Sequence, residues 1–228
     1  MKFVYPGINT VFDTEIGKVN VLVIENQNLL TALIRDLTDQ IAGLEGKAVI
    51  SEGNKVLPLA KNAELLSAFF PFEINKKPLL TKATAALVQQ AVEDDYELTR
   101  ELLGELESFL LAQTMKMVGD IEFQKINLET IVRSVGMTFE EAYDSLAEKI
   151  IDYFELVLEY DRQKLFILLN LRSFIDDEEA TRFFDTILRQ QYHVLLIESC
   201  EHTHLPTENC LIVDRDLCEI SCIRAECP

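Results

Sequence analysis

The chain has no cysteine in its first 199 residues, only three histidines and no glycine-rich phosphate loop. Each shortage removes a class of chemistry. The five cysteines lie between Cys200 and Cys227, and an odd number at irregular spacing is a poor disulfide framework. Cys200-Glu201-His202-Thr203-His204, followed by Cys210, Cys218, Cys222 and Cys227, invites comparison with a zinc site, but the short paired spacing of such sites is missing. Reduced thiols, some serving as small core residues, are the plainer reading. A thiol nucleophile at Cys200 beside His202 would lack an orienting partner and an oxyanion loop, so catalysis is not expected.

Long apolar runs are absent as well. Val21 to Ile24 and Val194 to Ile197 are strand-sized and far too short to cross a bilayer. The opening Met1-Lys2-Phe3-Val4-Tyr5-Pro6-Gly7 has no hydrophobic signal segment, so a cytoplasmic protein without membrane contact is expected. There is no Pro- or Gly-rich linker, no low-complexity tract and no internal repeat. With 48% hydrophobic and 26% charged residues over 228 positions, the chain can bury one large core or two modest ones.

Basic charge is scarce: 21 Lys and Arg stand against 39 Asp and Glu, a net charge of −18. Nucleic-acid binding ordinarily needs a basic footprint. The imbalance is uneven, however. Residues 1–77 carry 8 basic and 9 acidic side chains, residues 78–150 carry 6 and 14, and residues 151–228 carry 7 and 16. Any basic surface therefore draws best on the first third, where Lys47, Lys55, Lys61, Lys76 and Lys77 occur. Composition alone reads these as ordinary solvated lysines.

Periodicity gives the organisation. Thr10 to Ile16 alternates in part, with a turn at Ile16-Gly17-Lys18-Val19, and Val19 to Ile24 is a nearly continuous β-branched run, as in a strand covered on both faces. A helix follows, capped by Asn26 or Asn28, with Leu29, Leu30, Leu33, Ile34 and Leu37 as its apolar stripe. Residues 47–59 predict a hairpin turning at Glu52-Gly53-Asn54. Ala63 to Phe70 predicts a short helix and Phe72 to Asn75 a short extended piece. After Pro78 the chain predicts a long helical stretch, with stripes through Leu79, Leu80, Ala83, Leu87 and Val88 and then Leu98, Leu102, Leu106, Phe109 and Leu110, ending at Gly119-Asp120. Helices over Leu128 to Val135 and Phe139 to Leu158 follow, the second with a capping box at Thr138 to Glu141. Leu165 to Leu169 is a strand, Asp177 to Gln191 a helix with acidic residues at its positive end, and Val194 to Glu198 and Leu211 to Val213 two more strands. Apolar strands on both sides of a helical block most simply share one mainly parallel sheet. The expected fold is therefore α/β: a discontinuous head from residues 1–77 plus 156–228, and an inserted all-helical leg over residues 78–155.

A strand–helix head invites a test for nucleotide binding. Glu25-Asn26-Gln27-Asn28-Leu29-Leu30 after the first buried strand has no glycine, lysine, serine or threonine where a phosphate loop requires them. Gly43-Leu44-Glu45-Gly46-Lys47-Ala48 is the nearest imitation, but its spacing is short and Ala48 replaces the hydroxyl. Among the carboxylates, Glu93-Asp94-Asp95 and Asp176 to Glu179 read as solvated faces or helix starts. Asp120 and Glu122, with Glu129 nearby, fall where the long helix breaks, and oxygen ligands from two segments suit calcium, although no EF-hand loop is present.

The ordered set Asn20-Val21-Leu22-Val23-Ile24-Glu25-Asn26-Gln27, Pro71-Phe72-Glu73-Ile74-Asn75-Lys76-Lys77 and Leu128-Glu129-Thr130-Ile131-Val132 resembles the Csn2 proteins of type II-A CRISPR loci, over nearly the whole chain. The resemblance implies a head related to P-loop ATPases but without their active loop, a helical leg, and a diamond-shaped homotetrameric ring with calcium at the head–leg region. It also implies a positively lined hole that accepts linear double-stranded DNA from an end during spacer acquisition, alongside the other CRISPR adaptation proteins and the RNA-guided nuclease. Carried onto this chain, calcium falls to Asp120, Glu122 and Glu129, and the DNA wall to Lys47, Lys55, Lys61 and Lys125. Four copies of a modest lysine cluster on an inner wall would reconcile an acidic chain with a polyanion. Two other readings stay open: an acidic protein–protein adaptor, and a degenerate nucleotide-binding enzyme that would bind ATP near Glu25 to Leu30.

Overall fold

The computed structural model of the chain describes residues 1–15, 17–160 and 164–221. Cys222, Cys227 and the part of the first strand and turn expected at Ile16 lie outside the described residues. The fold is α/β, with seven α-helices among the described residues and two sheets. Residues 1–72 and 143–228 form one compact unit, and residues 73–142 form the other.

The first unit is built on strands that read as buried runs. Strand β3 (Val19–Ile24) is buried at every position, as is the strand at Leu165–Leu169, because each is covered on both faces. The full strand list is β1 (Lys2–Val4), β2 (Phe12–Asp13), β3, β4 (Val49–Glu52), β5 (Lys55–Leu57), β6 (Ala63–Leu66), β7 (Leu165–Leu169), β8 (His193–Glu198), β9 (Glu208–Val213) and β10 (Glu219–Ser221). The larger sheet has the order β10-β9-β3-β8-β7-β6. Its pairings are parallel from β9 to β6, and β10 adds an antiparallel edge. The sheet is therefore mixed. A separate four-stranded antiparallel sheet, β2-β1-β4-β5, carries the expected hairpin, with Glu52 paired to Lys55 and Gly53 at φ 55°.

Strand alternation assigns the two faces of the larger sheet. Leu22, Ile24, Leu165, Ile167, Leu169, Leu195, Ile197, Leu211 and Val213 point into a core shared with Leu33 and Leu37 of helix α1 (Gln27–Ile41). Asn26 caps that helix, its side chain accepting from the Leu29 N–H at 3.0 Å. On the opposite face lie α6 (Leu146–Tyr160) and α7 (Asp177–Gln190). Phe154 of α6 stacks on Phe166 of β7 with ring centroids 3.8 Å apart and meets Tyr192 edge-on at 5.7 Å.

Three sequence expectations change here. Ala63 to Phe70 contains strand β6, not a helix: its backbone pairs with the edge of β7, Ala63 opposite Leu165 through Leu66 opposite Leu168. Glu64 then accepts from the Tyr153 hydroxyl at 2.6 Å and faces Lys164 at 3.6 Å. Helix α6 starts at Leu146 rather than Phe139, because the Thr138 box is not used. Instead, Asn75 accepts the Phe139 N–H at 2.7 Å and donates to the Phe139 carbonyl at 3.0 Å. The working start is Ser145 to Glu148, where Ser145 Oγ accepts the Glu148 N–H at 3.2 Å. The division between units accordingly falls after Phe72 and after Ala142, rather than at 77/78 and 155/156, since the buried stripe of α6 (Ala147, Ile150, Tyr153, Phe154, Val157) belongs to the first unit.

The second unit contains α3 (Lys77–Asp94), α4 (Tyr96–Thr114) and α5 (Leu128–Val135). What reads as one long helix is two, broken at Asp95, which leaves helical geometry at φ −127° and ψ 38°. α4 has no buried residue along its 19 positions. No helix among the described residues is long and apolar enough to cross a membrane.

Phe154→Ala should lower the unfolding free energy by about 3 to 5 kcal/mol, since it removes a fully buried ring and leaves a cavity between α6 and β7. Urea unfolding followed by circular dichroism checks this; a loss below about 1 kcal/mol would mean that α6 is not part of this core.

Candidate nucleic-acid interface

Three lysines of the first unit expose their charge to solvent. Lys47 precedes β4, Lys55 begins β5 beside the hairpin turn and Lys61 lies on α2, the short helix Leu59–Asn62; all three are exposed. The side chains of Lys47, Lys55 and Lys61 make no ion pair or hydrogen bond among the described residues, and neither do those of Lys18 and Arg35. The first unit thus offers unneutralised cations on and around its small antiparallel sheet, in the part of the chain closest to charge balance. Elsewhere charges pair locally, as in Arg133 with Glu129 at 2.7 Å and Arg182 with Glu178 at 2.7 Å, each across one helical turn.

Lys125 belongs to the second unit. It is exposed, has no ion-pair partner among the described residues, and with Phe123 and Ile126 borders a cleft of about 370 Å³ whose other wall includes Glu107 and Leu110 of α4. The same unit holds the three carboxylates expected to bind calcium. Asp120 and Glu122 sit in the irregular segment after α4, and Glu129 opens α5; all are exposed. The fold does not gather all three: they do not together place a ligand oxygen within 4.8 Å of one another, and Glu129 pairs with Arg133. A calcium ion wants about six to eight oxygens around it. The donors as they stand do not fit that ion.

The place where a nucleotide would bind is also defined. β3 passes into α1 through Glu25 and Asn26 alone, and the first turn of α1 spends an N–H on the Asn26 cap. Asn26 also donates to the Arg215 carbonyl at 2.8 Å, which ties this corner to the segment after β9.

Sequence reasoning missed a buried ionisable cluster on the α7 face of the sheet. β7 ends at Leu169, Asn170 turns the chain in the left-handed region at φ 55°, and Arg172 follows on a short 3-10 turn. The Arg172 side chain is almost fully buried, over the Phe184 ring. It donates to Asp177 at 2.8 Å, to the Thr203 carbonyl at 3.1 Å and more weakly to Glu208 at 3.5 Å. Its backbone N–H donates to Glu198 Oε1 at 3.1 Å. Glu198 Oε2 is buried with no hydrogen-bond partner among the described residues, although His202 Nε2 stands 3.5 Å away. Burial pushes the Glu198 carboxyl up to about 7, against the opposing pull of the Arg172 N–H and guanidinium. Hydrogen bonds from Thr203 and then Arg172 hold Asp177 below its ordinary range. The signal in the sequence was Glu198 itself, a carboxylate ending the apolar run Val194 to Ile197 at a position that alternation turns inward. The cluster joins β7, β8, β9 and the loop at 199–207, and it explains why that loop is held against the sheet.

The family described as CRISPR-associated protein (Cas_Csn2) matches the chain over residues 40–217, more than three quarters of its length.

The raised carboxyl of Glu198 has a defined consequence. Below about pH 4.5 folded and unfolded chains both hold the proton; as pH rises toward 7 the unfolded chain ionises first, so the stabilisation is lost through the folded value. Glu198→Gln removes this dependence. The difference in unfolding free energy between wild type and variant should shift by about 3 kcal/mol against wild type from pH 4.5 to pH 8. Parallel pH slopes in the two proteins, measured by urea unfolding, would show that Glu198 ionises normally.

Proposed function

The chain belongs to the Csn2 family of type II-A CRISPR-associated proteins, and from that premise we propose that it binds the ends of linear double-stranded DNA, without regard to sequence, in a homotetrameric ring during spacer acquisition in the cytoplasm. Its partners on this reading are DNA ends, three further copies of itself, and the other CRISPR adaptation proteins with the RNA-guided nuclease. The observation that carries the reading is the set of exposed lysines Lys47, Lys55 and Lys61, left without carboxylate partners in a chain with 39 acidic side chains.

The electrostatics require assembly. A duplex carries about one negative charge per 1.7 Å of axis, and a few lysines on one acidic protomer cannot outweigh repulsion from the rest of its surface. Copies that turn these lysines toward one channel concentrate the cations and leave the acidic surface outside. A closed channel admits DNA only from an end. Contacts made by lysine to phosphate fix position but carry no sequence information.

An apolar surface is available for assembly. Leu98, Leu102 and Phe109 form a seam along α4, each more than half exposed. Exposed seams of this kind mark protein contact sites. The same seam favours the second reading, an adaptor that docks another protein, which needs no DNA. We read the chain as a binder and not an enzyme, because the two-residue passage from β3 into α1 leaves no loop to wrap phosphates. The calcium ion that the resemblance places at Asp120, Glu122 and Glu129 would require those three carboxylates to be drawn together on binding.

Gel shift with a linear duplex and with the same sequence as a closed circle tests the reading. Linear DNA should be retained and the circle released. The triple variant Lys47→Glu, Lys55→Glu, Lys61→Glu should lose at least roughly tenfold in affinity, with a log–log salt slope shallower by about 1 for each phosphate contact removed. Equal retention of circles rejects threading. Failure to bind any DNA would leave the adaptor reading.

A further inference from the structure

The donor atoms that the fold does bring together are not those of a calcium site. His204, Glu208 and Cys210 each place a ligand atom within 4.8 Å of the other two. We propose that these three residues form a binding site for a divalent transition metal, with zinc the best match to an imidazole nitrogen, a carboxylate oxygen and a thiolate sulfur. The site lies in the first unit and is independent of the DNA-binding reading.

Local structure explains the grouping. Glu208 and Cys210 are two residues apart on β9, so alternation turns both toward the α7 face of the sheet. The loop at 199–207 returns from the end of β8 and presents His204 beside them. Its Nδ1 lies 2.7 Å from Glu208 Oε1, and its Nε2 lies 2.9 Å from Glu201 Oε1. Glu201 therefore holds the outer nitrogen as a donor and leaves Nδ1 to face Glu208, the arrangement by which a carboxylate orients a metal-binding imidazole. Glu208 is oriented in turn: its Oε2 faces the Arg172 guanidinium at 3.5 Å, and Arg172 is fixed by Asp177 and the Thr203 carbonyl.

The chemistry selects the ion. Tetrahedral zinc with bonds of about 2.0 to 2.3 Å sets its ligand atoms roughly 3.3 to 3.8 Å apart, so the group needs only a small adjustment from a hydrogen-bonded to a metal-bound state. Nitrogen and sulfur donors favour zinc, cobalt or nickel over calcium. Binding replaces the Cys210 S–H bond by a metal–sulfur bond and the proton shared between His204 Nδ1 and Glu208 by a metal–nitrogen bond; the displaced protons go to solvent. The thiolate and Glu208 then balance the two positive charges of the ion. His204 is partly exposed, at 37% of its side chain, so a water can complete the fourth position. Cys200, whose sulfur lies 3.7 Å from His202 Nε2, and Cys218, in the turn before β10, are outside the group.

Zinc titration of the full chain against a chromophoric chelator, and cobalt substitution followed in the near ultraviolet, test the site. One equivalent should bind, and cobalt should give a sulfur-to-metal charge-transfer band. His204→Gln and Cys210→Ser should each weaken zinc by roughly tenfold or more, and excess calcium should not compete. Combined replacement of Cys218, Cys222 and Cys227 by serine should leave binding intact. If Cys210→Ser fails to fold, His204→Gln decides, since that side chain is at the surface. Absence of the thiolate band, binding unchanged in His204→Gln, or loss of binding in the triple serine variant would each overturn the proposal.

Discussion

The fold depends on one arrangement: strands from the two ends of the chain interleave in a single sheet. β3, near the start, lies between β8 and β9, near the end, with Val21 paired to both Leu196 and Cys210. β6 closes the edge beside β7, so residues 73–142 leave the sheet after one strand and return before the next. Because most of these pairings are distant in sequence, the sheet gains little until both ends are in place, and loop closure must precede the hydrophobic return. The strands are buried on both faces, which is why β3, β7 and β8 are almost wholly apolar, and why the few polar side chains among them need partners.

That burial also shows how far the sequence could be read. β3, β7 and β8 were legible as short continuous apolar runs and α7 by its helical period, and a mainly parallel sheet followed from their order. β6 was not legible. Ala63-Glu64-Leu65-Leu66 has the composition of a helix, and only the open edge of β7 makes it a strand. The start of α6 was a choice between two similar signals, Thr138 to Glu141 and Ser145 to Glu148, and the distant Asn75 settles it by bonding the backbone of Phe139. The break at Asp95 and the edge strand β10 carry too little hydrophobic pattern to be found.

The candidate sites divide in the same way. Exposed lysines are readable from sequence as solvated charges, and Lys47, Lys55, Lys61 and Lys125 are exposed; their placement on different elements was not readable. Asp120, Glu122 and Glu129 looked close because they are near in sequence, yet the segment between α4 and α5 does not gather them. The opposite holds for Arg172, Glu198 and Glu208, which meet because β7 and β8 end side by side and β9 brings Glu208 to the Arg172 guanidinium. The metal site proposed at His204, Glu208 and Cys210 would escape a search by cysteine spacing, because a ligand set built from strand alternation and a returning loop has no paired-cysteine signature.

The charge problem is central to the proposed function. An acidic chain can hold a duplex only if its unneutralised lysines from several copies face a common space. Sedimentation velocity of the full chain with a short linear duplex measures this directly. A complex containing four chains of 26.0 kDa per duplex is the expected result. A single 26.0 kDa chain bound to DNA, in numbers that grow with duplex length and not with the number of ends, would contradict it.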